Sequence, residues 1–251
     1  ILMLMNGSRK FFYRYLFFCT LIALPSNSIT KFHLSMFRTL TVHDFIFLLL
    51  SFTRVIGQDQ RIADSLTLIY EQGSLVGDEK LELLRKLSYN EQRDLNKALS
   101  YAEELIDLSE AENDLISLYR GYRQEAEINL QLGNFDIALE AYFKSLEAAK
   151  KAEYQRGQGS ALTGIADTYS EMGNSSNATE YYRQAISLLR TTEDTIAVGI
   201  AIINAGDEYF KAKKYDSALT YFKESAAIFE QQDYPIGKAY AQGNTGMVQA
   251  T

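Results

Sequence analysis

The sequence predicts an all-α array of helical hairpins that repeats about every forty residues. Ala98, Ala138, Ala178 and Ala218 stand forty residues apart. Four residues after each comes Ala102, Tyr142, Tyr182 or Phe222, and three before each comes Leu95, Phe135, Ser175 or Tyr215. That spacing puts one pattern on one helical face. Twelve residues before the last three alanines lie Ala126, Ala166 and Gly206, with Gly246 one period further, small residues where a second helix must come close. A fixed period of this length marks a helical repeat array, an architecture that presents surface.

Residues 1–57 are read as a leader. MNGSRKFFYRYLFFCTLIALPS has a basic start (Arg9, Lys10, Arg14) before an apolar run, and the scheme recurs with Arg38 and the run Phe45 to Phe52. Val55 and Gly57 precede Gln58 with the small-residue spacing that suits signal peptidase, so cleavage after Gly57 and a true start at Met36 are expected. The rival reading is a pair of short membrane helices, although both runs fall short of the roughly 20 residues a span needs. Cys19 follows Phe18 rather than a small residue, which speaks against lipidation.

Residues 58–110 read as a degenerate capping repeat, since terminal repeats depart from the consensus of the interior ones. Ile62, Leu66 and Ile69 share one helical face, Gly73 to Asp78 forms a loop, and a helix opening on Leu81, Leu84 and Leu87 ends near Tyr89–Asn90. Lys86 occupies the position held later by alanine or glycine.

Residues 111–251 form the array. Helices are expected over 116–132, 135–152, 159–172, 175–191, 196–213 and 215–231. Two features set the breaks: GQGSALTG (157–164) reads as a helix break, and Pro235 falls in a loop between repeats. The sequons Asn174-Ser175-Ser176 and Asn177-Ala178-Thr179 read as a turn, because Ala178 is a packing position. GKAYAQGNTGMVQAT reads as the first helix of a repeat whose partner is missing. The chain is therefore expected to be a fragment that frays after about Gly246 or self-associates.

Composition narrows the chemistry. From Gln58 onward 19 Lys and Arg face 31 Asp and Glu, a net charge of −12. Such a surface repels nucleic-acid phosphates and anionic membrane faces. Both histidines, His33 and His43, and the single cysteine lie in the leader. The array thus has no imidazole or thiol for catalysis or for a usual zinc site, and no enzymatic activity or cofactor is expected within this chain.

The segments GNFDIALEAYFKSLEAAKK, GNSSNATEYYRQAISLLR and KKYDSALTYFKESAAIFE resemble the tetratricopeptide repeat, a helix–turn–helix unit usually of about 34 residues. The resemblance implies a right-handed superhelix of about four repeats plus one unpaired helix. Running similarity across 36–251, including IADSLTLIYE and EKLELLRKLSYNEQRDLNKALSYAEELIDLS, further resembles the sensor region of Bacteroidetes tetratricopeptide-repeat adenylate/guanylate cyclases, and next their histidine kinases. That implies an exported, periplasmic or membrane-anchored array that binds a protein or peptide, with any membrane attachment through the leader or a downstream segment. A stand-alone secreted or periplasmic adaptor is the alternative. No catalytic residue of those enzymes has a counterpart here.

In this family the first helix of each pair lines the concave groove. Here Glu127, Asp167 and Asp207 recur on it at the forty-residue step, Asn204 and Asn244 lie one period apart, and Arg120 and Arg123 precede them. The resemblance implies that these positions meet a ligand backbone or its charged groups. A basic or polar extended peptide is the expected ligand. The alternative is a solvated stripe that keeps the array soluble.

Overall fold

The computed structural model describes residues 60–251, so the expectations about the leader, its cleavage and the Met36 start lie outside the described residues. Among the described residues the chain is entirely helical between its turns. Residues 60–72 form α1. Four hairpins follow: α2 (Gly77–Asn90) with α3 (Leu95–Glu112), α4 (Leu115–Leu132) with α5 (Phe135–Lys151), α6 (Gln155–Glu171) with α7 (Ser175–Leu189), and α8 (Thr195–Lys211) with α9 (Tyr215–Gln231). Helix α10 spans Pro235–Gln249. The first helices α4, α6, α8 and α10 begin forty residues apart, as do the second helices α3, α5, α7 and α9.

Turn chemistry sets this register. Asp94 and Asp114 each accept from two backbone N–H groups of the helix that follows, at 3.0–3.1 Å. Asn174 and Asp194 each accept from one, at 3.2 and 3.0 Å. These side chains satisfy N–H groups that helix starts leave free. Turns within and between hairpins close through a left-handed residue, glycine at Gly133 and Gly173 but Asn113, Glu153, Lys213 and Asp233 elsewhere. Gly173 has φ +77°, and an added Cβ would meet no atom within 4 Å. Gly173→Ala therefore tests conformational strain alone, and chemical denaturation should show a loss of about 1 kcal/mol. Lys213→Gly, which relieves the same strain at φ +58°, should shift stability the other way.

The four periodic alanines are fully buried, as the repeat requires. The larger core clusters of the array join one hairpin to the elements that follow it, whereas α2 and α3 share a cluster of their own. Ala126, Tyr142 and Leu146 pack with Ile165 and Ala185, and Ala166, Ala178 and Tyr182 pack with Ile202 and Ala205. Phe222 and Phe229 pack with Ile203, Ala241 and Val248.

Three expectations are corrected. The stretch 157–164 is no helix break: α6 starts at Gln155 and runs through it. A Cβ on Gly164 would lie 2.2 Å from the Tyr142 ring and one on Gly159 would lie 2.4 Å from Leu189, so these glycines are crossing points between helices. Close packing overrides their poor helix propensity. Pro235 is the first residue of α10 rather than part of a loop, a position where its missing N–H costs nothing. The face of α1 shared by Ile62, Leu66 and Ile69 is not its most buried one. Ile62 and Ile69 are exposed, while Ala63 is buried and Leu66 and Tyr70 pack on α2 and α3. Polar anchors fix that orientation: the Gln60 amide donates to Glu91 at 3.2 Å and the Tyr70 hydroxyl to Glu104 at 2.6 Å.

Candidate functional site

Successive first helices touch one another (α4 with α6, α6 with α8, α8 with α10), whereas among the described residues the backbones of α5, α7 and α9 do not approach one another. Helices that crowd together in a stack lie on the inside of its curve. The first helices therefore form the inner face, and the predicted residues lie on these helices.

The structure joins most of the predicted residues into a hydrogen-bonded ladder. Asn204 of α8 donates its amide to Asp167 Oδ1 of α6 at 3.0 Å. One repeat later Asn244 of α10 donates to Asp207 Oδ1 of α8 at 2.9 Å. The hydroxyl of Tyr182 donates to Asp167 Oδ1, and that of Tyr240 donates to Asp207 Oδ2 at 3.2 Å. The pattern breaks at the array's start. The position that would face Glu127 is Gly164, which has no side chain because the Tyr142 ring fills the space. Glu127 instead takes its partner from its own helix, as Arg123 Nη1 pairs with it one turn away. Arg120 stands apart from the ladder, its charge acting on Asp114 at the start of α4.

Exposure separates the members. Asn244 is 1% exposed, while Asp167, Asn204 and Asp207 keep partial exposure. A fully solvated stripe does not describe them, because each carboxylate has partners from within the array. Burial lifts the Tyr182 hydroxyl well above its ordinary range, and the charge of Asp167 adds to the lift. Tyr182 therefore stays a donor throughout the physiological range. The Tyr142 hydroxyl is buried without a partner, as is the Gln124 amide nitrogen.

The sequence reading missed the tyrosines. Tyr142, Tyr182 and Phe222 read as gap-filling rings, yet each lies fifteen residues after a ladder carboxylate, at Glu127, Asp167 and Asp207. The interval was the available signal. It brings the top of a second helix beside the first helix of the same hairpin, where a tyrosine but not a phenylalanine adds a donor. Among the described residues no group of His, Cys, Asp and Glu is arranged to hold a metal ion, and no helix is long and apolar enough to cross a membrane.

Residues 114–191 match the tetratricopeptide repeat family. No curated protein matches the chain. Among solved structures, similarity extends to a signal transduction ATPase with numerous domains and a tetratricopeptide repeat sensor, from Pyrococcus horikoshii. It is 21% identical, with a TM-score of 0.65, over 82% of this chain and 33% of that one. A Rap protein complexed with competence and sporulation factor is 19% identical, with a TM-score of 0.63, over 87% of this chain and 63% of that one. Aspartyl phosphate phosphatase F from Bacillus subtilis is 18% identical, with a TM-score of 0.64, over 69% of this chain and 46% of that one. The chain thus spans a third to under two thirds of these proteins, and at such identities the likeness is one of fold. Residues 114–191 thus carry tetratricopeptide repeats, and the forty-residue hairpins and the likeness of fold extend the same architecture over the neighbouring helices.

Proposed function

We propose that the array is a binding scaffold whose ligand, an extended peptide or protein segment carrying basic groups, lies along the inner face of α4, α6, α8 and α10. One observation carries the reading: Glu127, Asp167 and Asp207 recur on the first helices at the repeat spacing, with Asn204 bonded to Asp167 and Asn244 to Asp207. A net charge of −12 from Gln58 onward favours a cationic partner. Proteins of this fold that include a tetratricopeptide repeat sensor and a complex with competence and sporulation factor support the same reading.

The reading extends to cellular context. The array serves as the extracytoplasmic sensory part of a signalling protein such as a nucleotide cyclase, with 58–110 as its N-terminal cap. Its support is the running similarity over 36–251 and the basic-then-apolar leader. The coding region beyond codon 251 tests the cyclase assignment: an apolar span of about 20 residues followed by a catalytic domain is expected. A stop codon there would overturn it. Sequencing the mature N-terminus tests export, and Gln58 is the expected first residue.

For binding, the full chain is screened against basic, neutral and acidic peptide libraries. Basic peptides should be retained, with affinity that weakens as salt rises. Converting Glu127 to Gln and Asp167 and Asp207 to Asn removes the charge and keeps the shapes. This triple variant should bind at least about tenfold more weakly and lose most of the salt dependence. Undiminished affinity with an intact fold would remove the stripe from the site.

A further inference from the structure

We infer that Asp167 is a proton-binding site at the centre of the ladder, so that α6 packs more firmly on α7 and α8 when this carboxyl is protonated. The three periodic carboxylates are satisfied differently. Glu127 has a cation beside it in Arg123. Asp207 accepts on both oxygens, from Asn244 and from Tyr240. Asp167 places both of its bonds, from Tyr182 and Asn204, on Oδ1, and its Oδ2 is buried and accepts nothing.

A buried carboxylate oxygen without a donor is costly when the group is charged. A proton on Oδ2 removes the charge and leaves both Oδ1 bonds in place. The buried Tyr142 hydroxyl feels the charge of Asp167 but supplies no hydrogen bond to Oδ2.

The surroundings do not compensate the charge. Glu171 on the same helix raises the carboxyl's proton affinity and Lys211 on α8 lowers it. Asp207 and Glu208 of α8 act on Tyr182 of α7 beside it. Arg123 and Glu127 of α4 act on Tyr142 of α5, which also feels Asp167, as does Tyr240 of α10. The two cations of this neighbourhood are each bonded to another carboxylate, Arg123 to Glu127 and Lys211 to Glu208 at 2.5 Å. Burial accordingly pushes the Asp167 carboxyl up to about 7, with the Tyr182 and Asn204 bonds offsetting only part of the rise.

The sign follows from proton linkage. Between the unfolded value of 3.8 and about 7 the folded chain holds a proton that the unfolded chain has released. The contribution is therefore largest below that window, declines as pH rises through it, and is lost above it.

The test uses unliganded full chain, so its outcome is independent of peptide binding. A titration of the Asp167 side-chain carboxyl by NMR should give a midpoint near neutrality. In parallel, wild type and Asp167→Asn are unfolded by denaturant at mildly acidic and mildly alkaline pH. Because the amide never ionises, the folding constant of the variant relative to wild type should rise on the order of thirtyfold from about pH 5.5 to about pH 8. Other titrating groups cancel in the comparison. A midpoint below about 5, the ordinary carboxylate range, or a pH-independent ratio between the two proteins would overturn the assignment. If the variant fails to fold, the wild-type titration decides alone.

Discussion

Replacing Phe222 by alanine is expected to cost about 3–5 kcal/mol, the usual loss when a buried aromatic leaves a cavity. Phe222 is fully buried among Ile203, Ala218, Phe229, Ala241 and Val248, side chains drawn from α8, α9 and α10. Its ring also lies against Gly206, where a Cβ would come within 2.7 Å, so the helices cannot easily close over the gap. In a linear array each repeat touches only its neighbours, and the loss should be local. Hydrogen exchange should show α9 and α10 opening first while α4 to α7 keep their protection. Uniform destabilisation of every helix would mean that the repeats are coupled more tightly than nearest-neighbour packing allows.

Overpacking at the periodic alanine should also destabilise the array. Ala178 has no exposed surface and sits with Ala166, Tyr182 and Ala205 where α7 meets α6 and α8. Three added carbons in Ala178→Leu have no space, and the expected cost is roughly 1–3 kcal/mol. Ser176→Leu, two residues earlier on the exposed side of the same helix, should change stability by less than about 0.5 kcal/mol. Equal melting temperatures for wild type and the Ala178 variant would contradict the register on which the fold rests.

The repeat was legible because its signals are local and periodic. Ala138, Ala178 and Ala218 reported the hairpin crossing, and the helix starts at 135, 175 and 215 followed from them. Features that depend on what a distant residue does were not legible. The glycines at 157–164 look like a break until Tyr142 and Leu189 are seen to occupy the space their side chains would take. The apolar spacing on α1 groups Ile62 with Ile69 on one face, but the polar anchors Gln60 and Tyr70 orient that helix so that Ala63 faces inward and both isoleucines are exposed.

The ladder shows the same divide. Its carboxylates and asparagines were visible as a forty-residue stripe, since identical chemistry recurred at identical positions. That Asn204 reaches back to Asp167 rather than out to solvent depends on first helices crowding on the inner face. The different fates of Glu127, Asp167 and Asp207 turn on single neighbours: Arg123, an orphaned oxygen, and Tyr240.

The claim that the inner face receives the ligand is tested most directly by hydrogen exchange of the full chain with and without a basic peptide selected from the library. Protection should rise on α4, α6, α8 and α10, around Glu127, Asp167, Asp207 and Asn244, and leave α5, α7 and α9 unchanged. Protection confined to α5, α7 and α9 would place the ligand on the outer face and contradict the account.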